Sequence, residues 1–449
     1  MRNHLSLGLA TFLSLAASAA LQAQEPISDL TALLAEAVAN NPEIRAAERA
    51  AEAVRARVPQ AGALPDPMVG VGFMNVPITD PSLGREMMTM TRLQLEGQFP
   101  WPGKLGLQEE VARLRAEAAQ WEVARVRDEV VAEVKSAYFE VYFVDRAIEV
   151  TSRNEGLIAA FAQLTSAQYG VGTGSQSDVL KAQVERTRLA NQVVALHERR
   201  RSTVARLNAL LARPTDTPLL AGDIPENVGA AAVLGGGEEA RFVSSALSGL
   251  SQGGGPEQDP TIPSAADLQR LALEHNPMIQ AHVQRVAAQE QAVSLARKAE
   301  LPDFQVSIAY SRRPDFGDFV DLMVSAPLPL FAGRKQDQGV AEEAAVLAEE
   351  EARHHAMVND LNAEIESLVA GLVRGREQIL LLNEGILPQA RASLPSATAA
   401  YRVGRVDFLT LLDAQVTLYQ HELDYHRLLA DFARDVARLE RAVGTEVLR

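Results

Sequence analysis

The chain repeats itself, because four short motifs occur twice in the same order. Each copy lies roughly 230 to 237 residues after its partner. The matching blocks are 40–44 with 275–279, 64–66 with 301–303, 100–104 with 329–334, and a block starting at Tyr169 with one starting at Tyr401. Since one match can arise by chance but four ordered matches cannot easily do so, we predict a duplicated fold. The first repeat spans residues 24–212 and the second spans 264–449.

The segment between the repeats has a different composition. Residues 213–263 contain two Gly-Gly-Gly runs and several prolines. Glycine and proline in such density favour turns and loops, so this segment is predicted to be a linker.

Each repeat follows one plan, with two β-strands before a long helical hairpin. The strands are predicted near 67–76, 87–99, 304–312 and 319–328. The hairpins are predicted over 104–212 and 334–443, and in each a very long helix (104–169 or 334–401) is followed by a returning helix (176–212 or 406–443). Pro388 and Pro395 predict bends in the second long helix. Each pair of strands also follows shorter helices, of which 43–63 is predicted as one continuous helix.

The predicted strands alternate apolar and polar residues with a period of two. One face is predicted to be polar and to line a lumen, and it comprises Arg92, Gln94, Glu96, Gln98, Gln305 and Ser307. Alternation over about 10 residues fits transmembrane strands that are apolar toward lipid and polar toward the lumen. A half-buried sheet of a soluble protein gives the same pattern, so the strands alone leave both structures open.

The N-terminus predicts export. A basic start, an apolar run and small residues ending at Ala23 are typical of a signal peptide over residues 1–23. The chain has no cysteine, so neither a disulfide nor a lipid-modified N-terminal cysteine is available. No later segment offers about 20 consecutive apolar residues, as a membrane-spanning helix requires. The protein is therefore expected to be periplasmic, secreted or inserted in an outer membrane through strands.

Four strands are too few to close a transmembrane barrel, which needs about eight. Open strand edges in lipid leave backbone groups without hydrogen bonds, at a cost of several kcal/mol each. Three copies would supply twelve strands and six helical hairpins. We therefore predict a fold that is mainly α with a small β part. Three protomers would form a 12-stranded transmembrane β-barrel joined to a long α-helical barrel.

Together these motifs resemble the TolC-type outer-membrane efflux proteins, over nearly the whole predicted mature chain. The resemblance implies a homotrimer that crosses outer-membrane lipid, extends through the periplasm and passively conducts cargo. It also implies two partners, a periplasmic adaptor and an inner-membrane pump. The segments 64–67 and 99–104 are most similar to the branch that serves heavy-metal efflux pumps. Ducts for drug efflux or for type I protein secretion are the alternatives.

The same resemblance implies roles for residues at the two hairpin turns. The turn residues would contact the adaptor, and they are Val171, Gly172 and Thr173 in the first repeat and Val403, Gly404 and Arg405 in the second. Acidic residues after the turns would narrow the periplasmic end, and the candidates are Asp178, Asp407 and Asp413. For Asp178 and Asp407 the alternative role is helix capping, since acidic groups favour helix N-termini.

Other functions find little support in the sequence. A net charge of −15 argues against a nucleic-acid partner. His354-His355 is a weak metal-binding pattern, because neighbouring helical residues point in different directions. Met87, Met88 and Met90 lie near the second predicted strand, where methionines at a lipid-facing or barrel-rim surface are a simpler interpretation than soft-metal ligands. We predict no catalytic site, no cofactor and no bound metal. A periplasmic coiled-coil adaptor and an exported enzyme remain the less favoured classes.

Overall fold

A computed structural model describes residues 27–78, 81, 86–224, 228 and 262–447. The predicted signal peptide and most of the predicted linker lie outside these residues. Helices dominate the described part, and they accompany one four-stranded sheet and one short parallel strand pair. The predicted fold class, mainly α with a small β part, is confirmed.

The first half contains short helices, two strands and a hairpin of long helices. In chain order its elements are β1 (Ile27–Ser28), α1 (Leu30–Asn40), α2 (Pro42–Arg55), α3 (Arg57–Gly62), β2 (Met68–Met74), β3 (Met90–Phe99), α4 (Lys104–Gly170), α5 (Gln176–Leu210) and β4 (Leu220–Ala221). The 67 residues of α4 give a helix about 100 Å long. The predicted helix 43–63 is interrupted at Ala56, which separates α2 from α3.

The second half repeats this order. Its elements are α6 (Ala265–His275), α7 (Pro277–Lys298), β5 (Phe304–Arg312), β6 (Phe319–Ser325), a 3₁₀ turn (Ala332–Arg334), α8 (Gln336–Leu380), α9 (Leu387–Arg402) and α10 (Phe408–Val443). The sheet has the order β2-β3-β5-β6, and every neighbouring pair is antiparallel. Within the described residues, β2 and β6 each have one edge without a neighbouring strand.

Three strands are shorter than predicted for identifiable reasons. β3 begins at Met90 and not at 87, because the preceding residues form a turn in which the Thr89 N–H donates to the Glu86 carbonyl (3.1 Å). β6 ends at Ser325 and not at 328, because Pro327 lacks the backbone N–H that would extend the ladder. β2 ends at Met74 and not at 76, because Asn75 adopts a positive φ of 53°.

The second long helix is interrupted by a π-helical turn over Leu381–Ile386, between α8 and α9. Pro388 follows directly, and a proline cannot donate the helical hydrogen bond to the preceding turn. Widening the turn absorbs this missing bond, so the predicted bend at Pro388 takes the form of a π-bulge. Pro395 lies inside α9, which continues past it.

Two asparagines, at equivalent places in the repeats, each connect the end of one helix to the start of another by hydrogen bonds. Asn41 donates from Nδ2 to the Leu210 carbonyl at the end of α5 (2.9 Å), and Asn276 donates to the Ala442 carbonyl near the end of α10 (2.8 Å). Each asparagine also caps the helix that follows it through its Oδ1. In each pair, α5–α2 and α10–α7, one asparagine side chain therefore bonds to both helices, although the two helices are far apart in the sequence.

The long helices pack side by side, with α4 central. Near the hairpin turns α4 contacts α5 and α10, and toward the sheet it contacts α2 and α7. One apolar core joins α4 to the second repeat around Phe139, Ile365 and Val436. A second core lies near the turns around Ile158 and Phe408. No helix among the described residues combines the length and the apolar character needed to cross a membrane.

Candidate functional site

The four-stranded sheet has one apolar face, and that face is exposed. The register aligns Val71, Leu93, Tyr310 and Val320 in one row across the strands, and Val69, Leu95, Ile308 and Leu322 in the next. Leu322 is 72 % exposed and Leu95 is 47 % exposed. In water such a face would be covered by another layer, and the described residues supply none.

The opposite face is polar and less exposed. It holds all six residues predicted to line a lumen, namely Arg92, Gln94, Glu96, Gln98, Gln305 and Ser307. Glu96 accepts hydrogen bonds from Gln94 (2.9 Å) and from Gln305, and Ser307 is buried beside them. Three polar side chains of this face thus bond to one another, whereas the apolar face is uncovered. This arrangement is the inverse of a soluble sheet on a core.

Asp321 belongs to the same polar face, although the predicted set omitted it. Its Oδ2 lies 4.0 Å from Arg92 Nη2, across the sheet from β3 to β6. The alternation of Asp321 with exposed Val320 and Leu322 is the sequence signal that identifies it. The face therefore carries both signs of charge.

A clasp of hydrogen bonds fastens the sheet to the long helix, and sequence reasoning did not find it. Lys104, the first residue of α4, places Nζ 2.8 Å from Asp303 Oδ1 and 2.7 Å from the Leu301 carbonyl. The Trp101 backbone N–H donates to the same Asp303 oxygen (2.9 Å), and the Trp101 ring stacks on Phe304. Burial raises the pKa of Asp303, but the bonds from Lys104 and Trp101 outweigh that effect and hold the pKa below its usual range.

The two hairpin turns have the same conformation. Gly172 has a φ of +79° and donates to the Tyr169 carbonyl, and Gly404 has a φ of +71° and donates to the Tyr401 carbonyl (both 3.0 Å). Glycine adopts this left-handed conformation without the Cβ clash of other residues. Val171 and Val403 are exposed at these turns, 75 % and 68 % respectively. Thr173 and Arg405, two positions later, donate their backbone N–H groups to the Gln168 and Ala400 carbonyls (both 2.9 Å). The end of the helices that carries the two turns, called the tip below, therefore presents two equivalent exposed valines, each followed, after the glycine, by a polar residue.

The three acidic candidates near the turns lie in different settings. Asp407 caps α10, because its Oδ1 accepts from the Thr410 N–H (2.9 Å) and from the Thr410 hydroxyl (2.6 Å). These bonds from Thr410 lower the pKa of Asp407. Ser175, not Asp178, caps α5, and Asp178 is a half-buried residue of the first turn. Asp413 is exposed on α10.

Ionic side chains line a groove between α4, α5 and α10. Its volume is about 860 Å³, and Glu140 at its centre accepts from Arg199 and from Arg434 (2.9 Å each). Tyr138, two residues earlier, accepts from the Gly222 N–H next to β4. Because two helical residues differ by about 200° in direction, the groove opens on the side of α4 opposite β4.

The His354-His355 pair has a further neighbour that the sequence did not reveal. His282 on α7 is buried, with Nε2 3.2 Å from Glu350 Oε2 and its ring 5.8 Å from that of His354. Burial lowers the pKa of His282, and Arg285, Arg353 and His354 add to this, whereas Glu350 opposes it. Within the described residues, no cluster of three or more His, Asp or Glu has an arrangement fit to hold a metal ion.

A family comparison decides the relationship. The sequence model of the outer membrane efflux proteins matches residues 33–213 and 268–445. The chain belongs to this family. The match falls into two segments that exclude most of the Gly- and Pro-rich stretch between them. The predicted membership of the TolC-type efflux proteins is therefore confirmed.

Individual relatives of this efflux protein agree. It is 24 % identical over 418 residues to the cobalt-zinc-cadmium resistance protein CzcC of Cupriavidus metallidurans, covering 92 % of this chain and 90 % of CzcC. The solved structure of CusC gives a TM-score of 0.75 at 15 % identity, covering 94 % of this chain and 93 % of CusC. The solved structure of VceC from Vibrio cholerae gives a TM-score of 0.73 at 18 % identity, covering 93 % of this chain and 96 % of VceC. These structures share the fold of more than nine-tenths of the chain.

Proposed function

We propose that this efflux protein is the exit duct of a tripartite efflux system, formed by three copies in an outer membrane. The observation that carries the proposal is the two-faced sheet. Its apolar residues are exposed on one face, and polar residues share the opposite face, where Gln94, Glu96 and Gln305 bond to one another. Only a solvent of low polarity stabilises such a face, and the open edges of β2 and β6 must pair if they lie in lipid. Three sheets closed edge to edge would give the twelve strands of a barrel.

The helical part would continue this duct into the periplasm. α4 is long enough to extend about 100 Å from the sheet to the hairpin turns. The ionic groove around Glu140 would face the water-filled interior, since β1, β4 and α1 pack on the other side of α4. Val171 and Val403 at the tip would contact a periplasmic adaptor, which connects the duct to an inner-membrane pump. The pump would supply the energy for transport.

Heavy-metal cations are the cargo class that the relatives favour. CzcC is a cobalt-zinc-cadmium resistance protein, and its similarity covers nine-tenths of both chains. The duct itself would conduct passively, and the pump would select the cargo. Deleting the gene and measuring growth on cobalt, zinc, cadmium and a panel of drugs tests this assignment. Sensitivity to drugs alone would contradict it.

A matched pair of arginine substitutions tests the duct itself. Gln94 and Leu95 are neighbours in β3 on opposite faces of the sheet. An arginine facing lipid near the middle of a membrane costs about 2–4 kcal/mol, whereas an arginine in the lumen costs little but repels cations. We expect Leu95→Arg to reduce insertion into lipid bilayers. Gln94→Arg should insert normally and lower the preference for cations.

The assay is conductance of purified protein in planar bilayers, with cation preference taken from the reversal potential in a salt gradient. Wild-type protein should give stable cation-preferring channels. A wild-type protein without conductance would refute the duct. If Leu95→Arg inserts normally and Gln94→Arg does not insert, the assignment of the two faces is wrong.

A further inference from the structure

The clasp between Lys104 and Asp303 joins the two repeats within one chain. Asp303 lies directly before β5, and Lys104 begins the helix that follows β3. β3 and β5 are neighbours, with Phe99 paired to Phe304, so the two groups meet at the same end of the sheet. The side chains are only 11 % and 30 % exposed, so the ion pair is well formed and largely shielded from water.

Each half of this clasp exists a second time in the sequence. Asp66 stands in Leu64-Pro65-Asp66 as Asp303 stands in Leu301-Pro302-Asp303. Arg334 follows Gly333 as Lys104 follows Gly103. Duplication therefore provides a second carboxylate two residues before β2, and a second cation between the last strand and its helix.

The topology prevents these second halves from meeting within one chain. The order β2-β3-β5-β6 puts Asp66 at one lateral edge of the sheet, and Arg334 at the other. Both side chains are exposed, and neither has a hydrogen bond or ion pair to any other described residue. Phe331, at the place of Trp101 in the repeat, is 75 % exposed, whereas Trp101 is stacked on Phe304.

We propose that Arg334 of one copy binds Asp66 of a second copy, and so repeats between subunits the clasp that Lys104 and Asp303 form within each. In this contact between subunits, Phe331 of one copy would cover Pro67 of the second copy as Trp101 covers Phe304 within one chain. The strand directions allow this contact, because strands alternate along the sheet and β6 of one copy is antiparallel to β2 of the next. The inference rests on the proposed closure of three copies into one sheet.

Charge and geometry favour this partner. The edge of β2 offers an unpaired carboxylate, and the edge of β6 offers an unpaired guanidinium followed by a second cation, Lys335. A guanidinium can bind both oxygens of a carboxylate at once, which fixes their relative orientation better than an ammonium does. Neither group has such a partner as long as the chain is alone.

Crosslinking between introduced cysteines tests the contact directly, since the chain has no cysteine of its own. Because an ion pair that reaches through a long side chain leaves the backbones too far apart for a direct disulfide, a short bifunctional methanethiosulfonate reagent bridges the two thiols. We expect Asp66→Cys/Arg334→Cys to give covalent dimers and trimers on denaturing gels after this treatment, and monomers after reduction. The matched control is Lys104→Cys/Asp303→Cys, which should close within one chain and run as a monomer. Each single cysteine variant should give no covalent trimer.

Native mass spectrometry of the same samples in detergent separates the possible failures. Trimers that form no intersubunit crosslink, while the control pair is crosslinked within its chain, would overturn the clasp and leave the duct standing. The basic pair would then be free for another ligand, such as a lipid phosphate. Absence of trimers would overturn the clasp and the proposed closure together.

Charge reversal provides a second, independent measurement. Asp66→Arg and Arg334→Asp should each lower the temperature at which trimers dissociate, because each places like charges across the interface. The double variant should recover most of the loss, since the pair is restored with its signs exchanged. Losses that add in the double variant would overturn the proposal.

Discussion

Replacing Asn276 by alanine should loosen the joint between α10 and α7, because its side chain bonds to both helices. Asn276 Oδ1 accepts from the Met278 N–H (2.9 Å) and the Ile279 N–H (3.2 Å), and Nδ2 donates to the buried Ala442 carbonyl (2.8 Å). Losing an N-cap costs about 1 kcal/mol, and leaving a buried carbonyl without a donor costs about 1–3 kcal/mol. The sum is about 2–4 kcal/mol, which corresponds to a roughly 30- to 1,000-fold larger equilibrium constant for local opening.

Hydrogen exchange followed by mass spectrometry measures this opening locally, without unfolding the whole molecule. We expect peptides at the start of α7 and at the end of α10 to exchange faster by that factor, and peptides near the tip to be unchanged. Asn276→Asp is the matched control, because aspartate keeps the cap to Met278 and Ile279 but cannot donate to Ala442. It should loosen the end of α10 more than the start of α7.

Asn41 provides an internal replicate of the same joint. Its cap is similar, with the Glu43 and Ile44 N–H groups 2.8 and 3.4 Å from Oδ1, but its bond to the Leu210 carbonyl (2.9 Å) is only partly buried, whereas the Asn276 bond is buried. Asn41→Ala should therefore have the same kind of effect with a smaller magnitude. Unchanged exchange at both joints would refute the idea that these side chains hold the stacked helices together.

Three further predictions concern the tip, the acidic candidates and pH. Gly172→Leu and Gly404→Leu should impair efflux while trimers persist, because both glycines have positive φ at the proposed adaptor contact; unchanged efflux in both variants would contradict the tip assignment. Asp407→Asn with Asp413→Asn should raise leak conductance in bilayers, and wild-type conductance would exclude them as gate residues. Burial lowers the folded-state pKa of His282, so the unfolded chain binds more protons and stability should fall as pH drops below about 6.5. His282→Gln should therefore weaken the pH dependence of the temperature at which trimers dissociate, measured between pH 7.5 and 5.5. An unaltered slope would contradict this.

Periodicity predicted the sheet well because its signal is local. Strand residues alternate in direction by geometry alone, so the sequence separated the polar set from Leu93 and Leu95 without knowledge of the fold. The order of strands and the edge positions of β2 and β6 are not local properties. The duplication and the count of four strands indicated only that something outside the chain must complete the sheet.

Contacts between distant residues were beyond sequence reasoning. Nothing near Lys104 indicates that its partner is Asp303, almost two hundred positions later. His282 likewise meets His354 only because α7 and α8 pack side by side. Both pairs were hidden for the same reason, since one sequence gives periodicity and repeats but not the pairing of its helices.

The two copies of the clasp also indicate an order of assembly. Lys104 and Asp303 are tethered in one chain, so their encounter is intramolecular and has a high effective concentration. Arg334 and Asp66 face opposite edges of that chain, and their encounter requires a second molecule. A protomer should therefore complete its inner joint before the outer joints form, and the three outer joints should be the first to open when the assembly is perturbed. The same chemistry would then fix the fold of one subunit and the closure of the ring, with chain connectivity alone deciding which comes first.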